Sequence, residues 1–367
     1  GTANNNSGQL TYRDFTFTVQ NGNESDDLAV HASTNIAMAS GKIYDIAQNE
    51  VSNYALATEN LSANSAYVID GKPPTITSIT STTADNTYGI GKIINVRTTF
   101  SEPVRTTGDY IVTLETGGTD GTATTSSWGN SQTDVVNGDY TIASPHLSGD
   151  LAAASADMVS GALTDVAGNA IADWTINTNI NAASDIVVET TLPTIKHITS
   201  STNNGTYGIG EDVNVTVEFT EAVNLTGGTI SVPLETGDDD YTLSIAAFSN
   251  SATGSGTYTV RENDTSNDQN LGVKTSPGVT TSGAIKDHPA GNEMAVFTIP
   301  NSKNLSDMKA IKIDAKRPTI TNVTSSDNDG TYKIGDNIEI KLEFDEKMTL
   351  ANGTLDLSMN HGNAGNA

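Results

Sequence analysis

Nine acidic residues recur at fixed places in this chain, and their chemistry is that of a hard cation site. Asp70, Glu189 and Asp314 each close an apolar run: Val68-Ile69-Asp70, Val187-Val188-Glu189 and Ile311-Lys312-Ile313-Asp314. Glu102, Glu221 and Glu346 each stand two residues after a phenylalanine, and Asp45, Asp165 and Asp287 each open an Asp-x-Ala-x-Asn marker or its one-residue insertion. Calcium takes six to eight oxygen ligands, mostly carboxylates and carbonyls, so it needs several acids to converge. If these acids meet at domain joints, a calcium ion offsets their repulsion and fixes the interdomain angle. The competing reading is that they are solvated turn and edge residues that keep the protein soluble. Asp327-Asn328-Asp329-Gly330 lacks calcium-loop spacing and reads as a hairpin turn. Asp238-Asp239-Asp240 reads as a solvated loop.

Other chemistry has little support. His31, His146, His197, His288 and His361 are scattered, and there is no nucleophile elbow or phosphate loop. Acid pairs are too abundant here to argue a glycosidase, so no enzyme is expected. Trp128 and Trp174 could stack on a sugar or fill a core. Asn60, Asn204, Asn224, Asn304 and Asn352 stand in sequons that permit glycosylation.

The 367 residues carry 44 acidic and 18 basic side chains, a net charge of −26, and no cysteine. That sign disfavours nucleic acid and anionic membranes as partners. The lack of cysteine removes disulfides, thiol catalysis and Cys-based zinc sites. No apolar run is long enough for a membrane-spanning helix, and none reads as a secretory leader.

The elements that carry these acids repeat. Pro74-Thr75-Ile76 recurs as Pro193-Thr194-Ile195 and Pro318-Thr319-Ile320, at offsets of 119 and 125 residues. Fourteen residues past each proline comes Tyr88, Tyr207 or Tyr332, in a Thr-Tyr-x-Ile-Gly turn. An alternating strand follows: Ile94, Val96, Thr98 and Phe100; then Val213, Val215, Val217 and Phe219; then Ile338, Ile340, Leu342 and Phe344. A repeat of about 120 residues with many short strands predicts an immunoglobulin-like β-sandwich. The expected architecture is all-β, with tandem immunoglobulin-like sandwiches arranged end to end and a split domain at the chain ends. Its parts are 1-72, the C-terminal part of a repeat; 73-191 and 192-316, two complete repeats; and 317-367, the N-terminal part of a repeat.

The motifs Thr206-Tyr207-Gly208-Ile209-Gly210-Glu211-Asp212, Val213-x-Val215-x-Val217-x-Phe219-Thr220-Glu221, Leu234-Glu235-Thr236-Gly237 and Asp-x-Ala-Gly-Asn resemble the immunoglobulin-like or cadherin-like repeats of large prokaryotic surface proteins. That resemblance implies an extracellular or cell-surface location and an adhesive or structural role, often stiffened by calcium. The first full copy departs from the pattern, with Lys92 where an acid is usual and Pro103 beside Glu102.

A half sandwich exposes its apolar face and strand edges, so 318–367 requires strands like those in 1–70. One chain's tail could accept the next chain's head, the two ends of one chain could meet in a ring, or the chain could be an excerpt of a longer covalent array. The expected function is therefore an extracellular filament subunit polymerising head to tail by strand complementation. The alternative is a stalk segment of a calcium-stiffened adhesin. The swapped strands are expected from Leu10 through Val19 and at Tyr67-Val68-Ile69. The expected interface comprises Leu10, Tyr12, Phe15, Phe17 and Val19 against Ile340, Leu342, Phe344, Leu355 and Leu357. The partners are other copies of the chain, with a surface glycan or cell receptor left open.

Overall fold

The computed structural model describes residues 12–31, 38, 40–55 and 60–360. The chain is nearly all β, with two helices of four residues among the described residues. It separates into two compact units: Gly1–Thr191 with Pro289–Asn292, and Leu192–His288 with Glu293–Ala367.

In the first unit the long strand Ile93–Thr106 organises the sheet. It pairs antiparallel with Ile76–Thr80, Thr133–Thr141 and Leu163–Asp165. The sheet continues through Gly121–Thr125 and Tyr110–Leu114 to Ala153–Met158. Alternation in sequence becomes alternation in burial: Ile94, Val96, Thr98 and Phe100 face inward. Thr98 is the polar exception, and its hydroxyl meets the Tyr110 hydroxyl at 3.0 Å. The pairing of the long strand with Thr133–Thr141 breaks between Thr99 and Val104. Pro103, which has no N–H for a ladder, sits in that interruption, where its missing donor costs little.

The second unit repeats the plan. Asp212–Thr226 pairs with Ile195–Thr199, Phe248–Thr259 and Ala284–Asp287. A separate sheet of Tyr241–Ile245, Ile230–Leu234 and Thr280–Thr281 supplies the facing layer. Val213, Val215 and Val217 pack between the layers with Ile230, Val232 and Leu234, giving a sandwich-like core.

Each of the two complete repeats is closed by a parallel pair that strand alternation alone does not reveal. Ile186–Val188 lies along Asn86–Tyr88, and Ile311–Ile313 along Gly205–Tyr207. The tyrosine turns are built alike. The Tyr88 and Tyr207 hydroxyls each donate to the carbonyl four residues earlier at 2.8 Å, and Tyr332 does the same to Asn328. The turn glycines Gly91, Gly210 and Gly335 have φ of 78°, 83° and 94°, a region that disfavours a side chain.

The third copy begins in the second unit as the pair Ile320–Ser325 and Ile340–Phe344. Its register, Ile320 opposite Phe344 followed by a bulge, matches Ile195 opposite Phe219 and Ile76 opposite Phe100. Here the inner face is uncovered: Ile320, Val323, Ile338, Leu355 and Leu357 are exposed, and Ile340, Leu342 and Phe344 are half-buried.

Residues 12–20 depart from the expected strands. Leu10 lies outside the described residues, Phe15 makes an isolated bridge, and Tyr12, Phe15, Phe17 and Val19 are exposed without a ladder. A strand is stable only against a neighbour, and among the described residues this segment has the Phe15 bridge but no continuous ladder. At the other expected swap, Ile69–Asp70 pairs antiparallel with Glu24–Ser25.

Candidate metal centre

Asp165 ends the strand Leu163–Asp165, opposite Val104, and its side chain is buried. The marker that follows folds back over it. Asp165 Oδ1 accepts the Gly168 and Asn169 amides at 2.6 and 2.8 Å, and Oδ2 accepts Asn169 Nδ2 at 2.7 Å. Asn169 Nδ2 also donates to the Asp70 carbonyl at 3.0 Å. Gly168 takes φ 100°, which is why the marker favours glycine there.

Glu102 lies in the interruption of the long strand, where no ladder partner competes for the chain. Asp70, Glu102 and Asp165 each offer a carboxylate oxygen, and these oxygens all lie within 4.8 Å of one another. Pro103 therefore does not turn Glu102 away from the cluster. Burial pushes the Glu102 carboxyl above its ordinary range, and Asp70 and then Asp165 add repulsion, while Lys72 opposes the shift. An all-oxygen donor set of three carboxylates suits calcium, which would complete its shell with carbonyls and water.

The same positions recur elsewhere. In the second unit Val223 pairs with Asp287 as Val104 pairs with Asp165, Asp287 is again buried, and Glu221 again lies in the interrupted stretch of its strand. In the first unit Glu189 follows Ile186–Val188. Asn292 Nδ2 donates to its carbonyl at 3.0 Å and to its carboxylate at 2.9 Å. Asp314 and Glu346 in the second unit are both exposed. Asp45 is exposed too, although its own marker is formed: Oδ1 and Oδ2 accept the Asn49 amide and Nδ2, each at 2.8 Å. Those bonds, the side-chain one first, hold the Asp45 carboxyl below its ordinary value.

Several other expectations change. Trp174 stacks on Tyr110 at 6.3 Å, and Trp128 Nε1 donates to the Val104 carbonyl at 3.0 Å. Both rings are half-buried and pack against the first core, as the core-filling reading expects. Asp240 is not simply solvated: it pairs with Lys274 and accepts the Thr236 amide at 3.0 Å.

Asn60 and Asn304 are not free sequon side chains. With Asn179 they form one recurring clamp that strand patterning does not reveal. The Asn179 side chain accepts the Ala153 amide and donates to the Ala153 carbonyl, both at 2.8 Å. Asn304 holds Val273 in the same way at 2.8 and 2.7 Å, and Asn60 holds Val30 at 2.9 and 2.8 Å. The available signal was spacing: each clamp stands ten residues before the acid that closes its repeat.

Compared with known proteins, the sequence matches no family model and no curated protein. Among the described residues, no helix is long and apolar enough to cross a membrane.

Proposed function

We propose that the chain is a non-enzymatic structural subunit of an extracellular filament or surface fibre. It is built from immunoglobulin-like sandwiches in series and polymerises head to tail. The early-repeat half, 318–360, of one copy is completed by the late-repeat half, 12–70, of the next. One observation carries this reading: the chain holds both halves of a repeat, each with native local structure and each with its apolar side uncovered. The late half has the Asn60 clamp, the short helix Leu61–Asn64 and the Asp45 marker. Yet Leu61 is 36% exposed, whereas its counterparts Ile180 and Leu305 are 0% exposed. The early half has the strand register and tyrosine turn of its counterparts, yet Ile338 and Leu355 are open where Val213 and Ile230 are buried. Completing the sandwich buries both faces and removes an open strand edge.

Calcium at the joints belongs to the same proposal, with Asp70, Glu102 and Asp165 as ligands in the first unit. It would hold the carboxylates together and stiffen the joint. The resemblance to prokaryotic surface repeats supports the extracellular setting. A second reading, a stalk segment of a longer covalent adhesin, draws on the same uncovered faces, which a covalently following repeat would cover equally well.

Electron microscopy of the purified chain in millimolar calcium separates the two. Filaments repeating at about three domain lengths, lost on deleting residues 1–72, are expected. Separate short rods would remove the polymer and leave the stalk. Titration calorimetry with calcium, on the chain and on Glu102→Gln, tests the ion: equal heats from both, or none, would remove it.

A further inference from the structure

We infer that the two halves meet in one fixed register: Met348–Leu350 of one copy pairs antiparallel with Ile43–Asp45 of the next, whose Asn49 hydrogen-bonds the Asp314 carbonyl of the first. The inference rests on the head-to-tail reading and adds the contact that orients it.

The register follows from two completed examples in the same chain. In the first unit Leu163, Thr164 and Asp165 lie opposite Thr106, Arg105 and Val104. In the second, Ile285, Lys286 and Asp287 lie opposite Leu225, Asn224 and Val223. Counting from Glu102, Glu221 and Glu346, the third acceptor edge is Met348, Thr349 and Leu350. Counting from the marker acids, the third donor edge is Ile43, Tyr44 and Asp45.

The donor edge is already shaped for that role. Tyr44 bridges Glu50 as Thr164 bridges Ala170 and Lys286 bridges Glu293. The Val51 amide donates to Ile43 at 2.9 Å, as Ile171 does to Leu163 at 3.1 Å and Met294 to Ile285 at 2.8 Å. What differs is burial. Leu163 and Ile285 are in the core, whereas Ile43 and its partner-to-be Leu350 are exposed. The marker asparagine sets the final contact. Asn169 reaches the Asp70 carbonyl and Asn292 the Glu189 carbonyl, so Asn49 has the Asp314 carbonyl as the third member of the series. A marker that folds before its target arrives loses little conformational freedom on docking, which favours specific association.

Cysteine pairing tests the register directly, because the chain has no cysteine of its own. Tyr44→Cys with Thr349→Cys puts thiols on directly opposed residues that share a face. Tyr44→Cys with Met348→Cys puts them on opposite faces. Tyr44, Met348 and Thr349 are all exposed, so both variants should keep the parent's thermal unfolding profile. Under mild oxidation the first pair should give a ladder of covalent multimers, at least about tenfold stronger than the second. Filaments by microscopy with no ladder from the first pair would overturn the register while leaving head-to-tail assembly standing. Equal ladders from both pairs would show that no register is fixed. A disulfide confined to monomers would mean that the chain closes on itself, and loss of both ladder and filaments would overturn this inference together with the assembly it rests on.

Discussion

Leu355→Asp should abolish assembly while leaving the isolated chain intact. Leu355 occupies the place of Ile230, which is 1% exposed in the second core, yet Leu355 itself is 61% exposed. Fully burying a leucine contributes about 1.5–3 kcal/mol, so completing the sandwich over Leu355 should contribute about 1–2 kcal/mol. An aspartate there loses that contribution and places a carboxylate in an apolar layer, at a cost of about 3 kcal/mol or more. The sum, about 4–5 kcal/mol, corresponds to about a thousandfold weaker association. In the unassembled chain an exposed substitution should change stability by less than about 0.5 kcal/mol. Ile230→Asp is the contrasting variant and should unfold its unit. Sedimentation across a concentration series reads association, and urea unfolding of the dilute chain reads stability. Unchanged assembly of Leu355→Asp would refute the completed-sandwich argument. A loss of more than about 1 kcal/mol in the dilute chain would show that Leu355 is already packed.

Asn179→Ala removes the clamp on both backbone groups of Ala153 and the cap on Ile180; at about 1 kcal/mol per hydrogen bond, the urea midpoint should reflect a loss of about 2–3 kcal/mol. Gln48 holds φ 67° where the other markers carry glycine, so Gln48→Gly should stabilise the Asp45 turn by about 0.5–1 kcal/mol, read as slower hydrogen exchange at Asn49. Glu102 has its carboxyl raised by burial and then by Asp70 and Asp165, so its protonated form is favoured on folding. Its contribution is fully present below the unfolded-state pKa and is lost as pH rises through the raised folded value. In chelator, calorimetric scans across that window should therefore show Glu102→Gln gaining on the parent as pH rises, and added calcium should reverse the order.

The repeat, its phase and its inward faces were legible because strand alternation is a local property. Val213, Val215 and Val217 declare one face of a sheet whatever lies opposite. The recurrence of Asp70, Glu102 and Asp165 at fixed phases was legible too, but their convergence was only a conditional expectation, because the fold alone brings a joint, a strand interruption and a marker to within 4.8 Å. What the sequence could not reveal depends on partners distant along the chain. Asn60 and Asn304 read only as sequons, and Asn179 drew no reading, until Val30, Val273 and Ala153 stand beside them. The parallel closure of each repeat on its tyrosine turn, the packing of Trp174 on Tyr110 and the pairing of Asp240 with Lys274 have no local periodicity at all. Residues 12–20 show the limit most clearly: Phe15, Phe17 and Val19 alternate as in a strand, but a strand needs a hydrogen-bonding neighbour, and only tertiary structure supplies or withholds one.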